Sequence, residues 1–135
     1  IKIWKSSISF ILQRPILGWG ASSFSVLFML HNKDFLSLHT HNLLLEVSHN
    51  YGVIVAIILF ASIFQLMRKT NKKLFTSKSS LKKGFEYPDI DMYWWTSSFL
   101  ILFMHLSDIT YYDGRISILL WLLLSGLVMN LRETR

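Results

Sequence analysis

The longest apolar pattern in the chain runs from Val53 to Met67, where only Ser62 and Gln65 interrupt a series of aliphatic and aromatic residues. Leu43, Leu44 and Leu45 extend it backward, enough to cross the roughly 30 Å hydrocarbon core of a bilayer. A spanning helix is expected over residues 43–68, with Asn42 as its N-cap and Glu46 close enough to the N-terminus to favour the helix dipole. Upstream, Trp4, Ile8, Ile11 and Leu12 fall at helical spacing with Lys2, Lys5, Ser9 and Gln13 elsewhere round the wheel. Residues 3–13 therefore read as a short amphipathic helix lying on the membrane surface. Pro15 disfavours helix at Arg14 and ends that segment, and Gly18-Trp19-Gly20 supplies permissive backbone for a reversal. Residues 21–30 read as a second, short apolar helix and 31–38 as a loop, completing a segment of amphipathic helices and loop over 1–42.

Beyond the first span the polarity inverts. Residues 69–92 carry Lys69, Lys72, Lys73, Lys78, Lys82 and Lys83 before an acidic exit through Glu86, Asp89 and Asp91. The positive-inside rule makes this the cytoplasmic loop. Tyr93, Trp94 and Trp95 mark an interfacial belt, and a second span is expected over 93–106. A turn over 107–115, a third span over 116–131 and a tail over 132–135, closed by Arg132 and Arg135, complete the pattern. The expected fold is all-α: a polytopic membrane protein with three transmembrane helices preceded by an amphipathic periplasmic helical segment. Residues 1–42 and 107–115 then share the external face. Each apolar run is somewhat shorter than the ~20 residues of an ideal span, so the aromatic flanks are needed to extend it.

The composition agrees with that pattern, since 52% of the 135 residues are hydrophobic and 15% aromatic, more than a soluble domain ordinarily carries. The net charge of +6 does not indicate nucleic acid, because the cations cluster between apolar segments instead of interleaving with aromatics on one face. Contact of the Lys-rich loop with anionic lipid is a secondary role for that charge. The absence of cysteine excludes disulfides and thiolate metal sites. The chain starts at Ile1 without an initiator Met, and its first residues lack the basic head and clean apolar run of a signal peptide. It is expected to be part of something longer.

Candidate chemistry concentrates between His39 and Gly52. On a helix starting at Asn42, Glu46, His49 and Asn50 follow at offsets of four, seven and eight, a polar stripe that suits a wet helix end or a function equally. His41 exchanges a proton near neutral pH and precedes a helix N-terminus, whose amide groups and dipole attract phosphate. His39 and His41, two residues apart, share a side only in extended chain and would need further ligands, so no metal is expected. In the second external cluster His105 and Asp108 are spaced to pair, and Arg115 either caps the third span or, opposite the His41 helix end, completes a two-sided phosphate clamp. Tyr111 and Tyr112 suit interface anchoring. Gly18-Trp19-Gly20 fits neither a Walker loop nor a dinucleotide fingerprint. There is no Gly-x-Ser-x-Gly elbow and no His-Glu-x-x-His helix.

Taken in order, Trp4, Arg14-Pro15-Ile16-Leu17-Gly18-Trp19-Gly20, His39-Thr40-His41-Asn42-Leu43-Leu44-Leu45-Glu46 and Tyr51-Gly52-Val53-Ile54 resemble the bacterial O-antigen ligase and O-antigen polymerase superfamily. That family carries a Pro-x-x-Gly-x-Gly turn, a His-Asn or His-Ser pair leading into a helix, and a Gly just before the membrane core. The match covers nearly the whole chain, with Asp108 to Leu127 matching more loosely. The resemblance implies an inner-membrane glycosyltransferase whose periplasmic face moves a glycan from an undecaprenyl-pyrophosphate donor to a glycan, lipid or protein acceptor. It implies His41 as base or leaving-group hydrogen-bond donor and Asn42 as its orienting partner. Arg14 and Arg115 are expected as phosphate partners, with His39 and Glu46 also expected at the substrate. No cofactor, metal or nucleic acid enters this scheme. Family members are longer, so the chain corresponds to their C-terminal part, and the fragment alone is expected to be inactive. The chain departs from the family in having at most Lys2 where an Arg often precedes the Trp, and in lacking the arginines of earlier external loops. Ligase, polymerase and protein-glycosylating roles remain alternatives, as do a transporter subunit lined by the Asn42–Asn50 stripe and a structural membrane subunit.

Overall fold

The structure is a computed structural model that describes residues 2–33, 37–80, 90–108 and 112–132, without the side chains of 75–80. The expectations on Lys78, Lys82, Lys83, Glu86, Asp89, Tyr111 and Arg135 lie outside the described residues or side chains. Among the described residues the chain forms helices and no strand: α1 (Lys2–Gln13), α2 (Ser23–Asn32), α3 (Leu43–Tyr51), α4 (Val53–Ser80), α5 (Ile90–Met104) and α6 (Gly114–Arg132). They divide into two compact units, Ile1–Ala61 with Met104–Tyr111 and Ser62–Phe103 with Tyr112–Arg135.

In the first unit α1 ends for the reason its sequence supplies. Pro15 has no N–H to give Ile11, so Arg14 N donates to Ile11 O at 3.2 Å in a tightened last turn, and the freed Phe10 carbonyl accepts the Trp19 indole N–H at 2.7 Å. The apolar surface of α1 is split. Ser6, Ser7, Phe10 and Ile11 are buried, whereas Trp4, Ile8 and Leu12 form an exposed row at intervals of four residues. Ser7 satisfies its hydroxyl on Ile3 O at 2.8 Å, and Ser6 accepts from the Asn32 amide at 3.2 Å. Phe10, Phe24 and Phe28 make the core, with Ile3, Trp19 and Leu27 packed around it. Their rings meet edge-on at 6.3 Å for Phe10 and Phe24 and stacked at 5.5 Å for Phe24 and Phe28.

The continuous helix expected over 43–68 is broken. Gly52, at φ +90°, separates α3 from α4. In an unbroken helix Val53 N would bond to His49 O and Ile54 N to Asn50 O. Here Val53 N donates to Pro15 O at 2.7 Å, while His49 O and Asn50 O accept from Trp19 N at 2.8 Å and Gly20 N at 3.0 Å. The Pro15–Gly20 turn is thus threaded into the gap, and backbone meets backbone so closely that two glycines are obligatory. A Cβ on Gly18 would lie 2.6 Å from His49 O, and one on Gly52 1.9 Å from Ile16 O.

The second unit corrects the expected polar loop over 69–92. α4 continues to Ser80, because Lys, Leu and Asn residues follow Met67 with no Gly or Pro before Gly84. Thr70 turns its hydroxyl inward to Leu66 O at 2.9 Å and Met67 O at 3.0 Å. The two belt tryptophans fasten helices: the Trp95 indole N–H donates to Met67 O of α4 at 3.0 Å and that of Trp94 to Leu123 O of α6 at 2.7 Å. Lys73 Nζ donates to the Asn130 carbonyl and side-chain oxygens. Among the described residues two helices are long and apolar enough to cross a membrane, over Val53–Leu74 and Gly114–Arg132, and only 17% of each apolar window is buried, so these side chains do not face a protein core. α5, at 15 residues, reaches about 22 Å at 1.5 Å per residue.

Gly52→Ala in the full-length protein is expected to lower stability by about 2–4 kcal/mol, combining left-handed strain with a backbone clash no rotamer relieves. Denaturation in detergent followed by tryptophan fluorescence measures it, with Gly114→Ala, which meets nothing within 4 Å, as the neutral control. Gly126→Ala should cost about 1–3 kcal/mol despite better helix propensity, because its Cβ would fall on the Trp94 indole.

Candidate functional site

The segment entering α3 is pinned on both sides of His41. Ahead of it, Thr40 is fully buried; its N–H donates to Glu46 Oε2 at 3.0 Å and its hydroxyl to Asn42 O at 2.9 Å. After it, Asn42 caps the helix by accepting from Leu45 N at 3.1 Å, while its own amide donates to Leu106 O at 2.7 Å and Leu43 N donates to His105 O at 2.9 Å. The end of α5 and the turn after it are thereby sewn to the start of α3. Between these anchors His41 adopts φ +52°, a left-handed conformation for a residue with a Cβ. It presents Nδ1 to Asp108 Oδ1 at 3.1 Å, with 48% of the imidazole and 65% of the carboxylate side chain open to solvent.

The polar stripe of α3 is not a wet helix end. Glu46, His49 and Asn50 are all buried. Glu46 accepts from Thr40 N and from the Asn50 amide, the latter at 3.2 Å, and lies 3.9 Å from His39 Nδ1. His49 is enclosed by Phe10 and Phe24, at ring distances of 6.1 and 5.4 Å, and its Nε2 is 3.0 Å from Ser23 Oγ. Ser23 Oγ also lies 2.7 Å from Gly20 O. With its single hydrogen directed there, the hydroxyl accepts from a protonated Nε2. His49 Nδ1 and Asn50 Oδ1 are buried without a hydrogen-bond partner among the described residues. Burial pushes the His49 imidazole below its ordinary value, against the opposing pull of the Glu46 carboxylate.

The two candidate arginines have local partners. Arg14 lies with its guanidinium carbon 4.4 Å from the Trp19 ring centre, a cation–π contact that ties it to the threaded turn. Arg115, in the second unit, opens α6 and pairs with Asp113 through Nη2 to Oδ2 at 3.1 Å and Nε to Oδ1 at 3.3 Å. Those bonds, with the Arg115 backbone N–H at 2.9 Å, hold the Asp113 carboxyl below the usual carboxylate range. Asp113 is the N-cap of α6. Among the described residues no group of three or more His, Asp or Glu side chains is placed to hold a metal ion.

The structure links Asn42, Glu46 and Asn50 through Thr40 on the chain flanking His41, with His39 3.9 Å from Glu46. It adds two relationships that sequence reasoning missed. Spacing allows Asp108 to pair with His105, and the structure shows that it also faces His41, 67 residues away. Ser23 had no role, and it is the partner of His49. No local signal marks either pair. Set against known proteins, the chain matches no family model, no curated protein and no solved structure.

The unfolded chain carries His49 near its ordinary 6.5 and protonates before the folded one. Stability is therefore complete above about pH 6.5 and declines as pH falls toward the depressed folded value. Denaturation midpoints compared between pH 7.5 and 5.5 should show this decline, and His49→Gln should flatten it relative to the parent protein. An unchanged slope would remove His49 as its source.

Proposed function

We propose that the chain belongs to a periplasm-facing glycosyltransferase of the O-antigen ligase type. In this reading α4, α5 and α6 are three spans of a bacterial inner membrane, with α1 to α3 on the periplasmic side and the basic residues at the end of α4 in the cytoplasm. The long apolar windows and the inside-biased Lys and Arg residues favour that orientation. α3, nine residues long and capped at both ends, stands outside the spans, and the proposed base His41 sits just ahead of its N-cap.

The supporting observation is the His41–Asp108 pair. A left-handed residue held by buried anchors on both sides, with its imidazole offered to solvent and oriented by a carboxylate, is where a general base is to be sought. The acceptor hydroxyl oxygen forms a bond to the anomeric carbon of the donor glycan. The bond from that carbon to the pyrophosphate oxygen breaks, and its electron pair leaves with the polyprenyl pyrophosphate. His41 takes the hydroxyl proton while Asp108 steadies the imidazolium. Since the donor is already activated, positioning and charge stabilisation are the remaining demands. Arg14, anchored on the Trp19 ring, supplies positive charge for pyrophosphate. Asn42 holds the His41 backbone through its cap, and Glu46 and His39 act from beneath by fixing the Thr40 turn.

His41→Ala in the full-length protein should lower glycan transfer by about 10²–10⁴-fold with membrane insertion intact, and Asp108→Asn by a smaller factor. Both are read from carrier-linked glycan accumulating in a strain lacking the wild-type copy. Single repeats in that strain would indicate a polymerase and long carrier-bound chains a ligase. Full activity of His41→Ala refutes the assignment.

A further inference from the structure

A groove of about 300 Å³ opens between α1, α3 and the first turns of α4. Its walls are Ile8 and Leu12 of α1 and Leu45 of α3, its floor Val53, Ala56 and Ile57 of α4, and Ser48 is the one polar side chain in its lining. We infer that it holds one acyl chain of a bilayer phospholipid.

The lining, the floor, the rim and the walls together select that occupant. The lining offers nothing to a charged or hydrogen-bonding partner, and Ser48 alone cannot replace the two to four bonds a water molecule needs. The floor belongs to the candidate span Val53–Leu74, so bilayer hydrocarbon reaches the mouth of the groove directly. The rim is open on that side, with Leu12 73% and Ile57 60% exposed. The walls are two helices of 12 and 9 residues, too short to span, and the gap they leave beside α4 is one that hydrocarbon fills. No cation lines the groove, so nothing in it selects a head group. This favours the abundant phospholipid over the polyprenyl donor, whose pyrophosphate would require one. A chain lodged there wedges α1 against α3 at the end from which the Pro15–Gly20 turn departs. The inference rests on α4 being a membrane span, not on the glycosyltransferase reading.

The test reconstitutes the full-length protein in phosphatidylcholine vesicles doped with a phosphatidylcholine bearing a mid-chain diazirine. After irradiation, digestion and mass spectrometry, adducts are expected on Leu12, Leu45 and Ile57. Ile57→Trp, or independently Leu12→Trp, should fill the groove and cut the remaining groove adducts severalfold, while those on α6 stay constant. Adducts spread evenly over α4 and α6 and insensitive to both substitutions would overturn the assignment. Preferential labelling of the same residues by a diazirine polyprenyl phosphate at equal mole fraction would also overturn it, in favour of the donor's chain. Failure of the protein to float with the vesicles would remove the span and this inference together, a result distinct from insertion without groove labelling.

Discussion

Everything around His41 depends on an exchange of backbone hydrogen bonds. Gly52 releases Val53 N, His49 O and Asn50 O from the helical ladder, and the Pro15–Gly20 turn returns a partner to each. A buried peptide group left unpaired carries the full cost of desolvation, about 1–3 kcal/mol, and in hydrocarbon the penalty is larger. A helix can be interrupted beside a membrane only if other protein backbone satisfies the interruption. The two glycines at Gly18 and Gly52, the proline that ends α1 and the indole of Trp19 bonded back to Phe10 are parts of one arrangement, and α3 exists as a separate short helix because of it.

That separation explains why so many polar groups can be buried next to an apolar span. His49 packs on the aromatic core and bonds Ser23, 26 residues away, while Glu46 takes the Thr40 N–H and the Asn50 amide close by in sequence. Burial of the stripe and exposure of His41 follow from the same geometry. The cap at Asn42 and the Thr40–Glu46 bond fix the backbone on either side, leaving the intervening residue to turn outward in a conformation it would not adopt alone.

Much of the helical content was legible, since period and caps are local properties. The spacing of Trp4, Ile8, Ile11 and Leu12, the stop at Pro15 and the cap at Asn42 all lie within a turn or two of the residues they control. The break at Gly52 was not. A lone glycine within a continuous apolar run is ordinarily tolerated in a helix, and what opens this one is a turn more than thirty residues upstream. The extension of α4 past Arg68 was obscured by reading lysines as loop residues, although on propensity lysine continues a helix well. The polar stripe was visible as a stripe, but its burial depends on Phe10 and Phe24, which no window around α3 contains. Asp108 illustrates the limit most plainly: spacing pairs it with His105, and only the closure of the α5 end onto α3 delivers it to His41.

The fit of Trp94 against Gly126 has a mechanical consequence. An indole seated in the notch of a facing glycine, and bonded to the carbonyl at Leu123, fixes both the height and the rotation of α5 against α6. Sliding by one helical step would drive the ring into a side chain and strand its N–H. The pair therefore resists piston and screw displacements of one helix against the other.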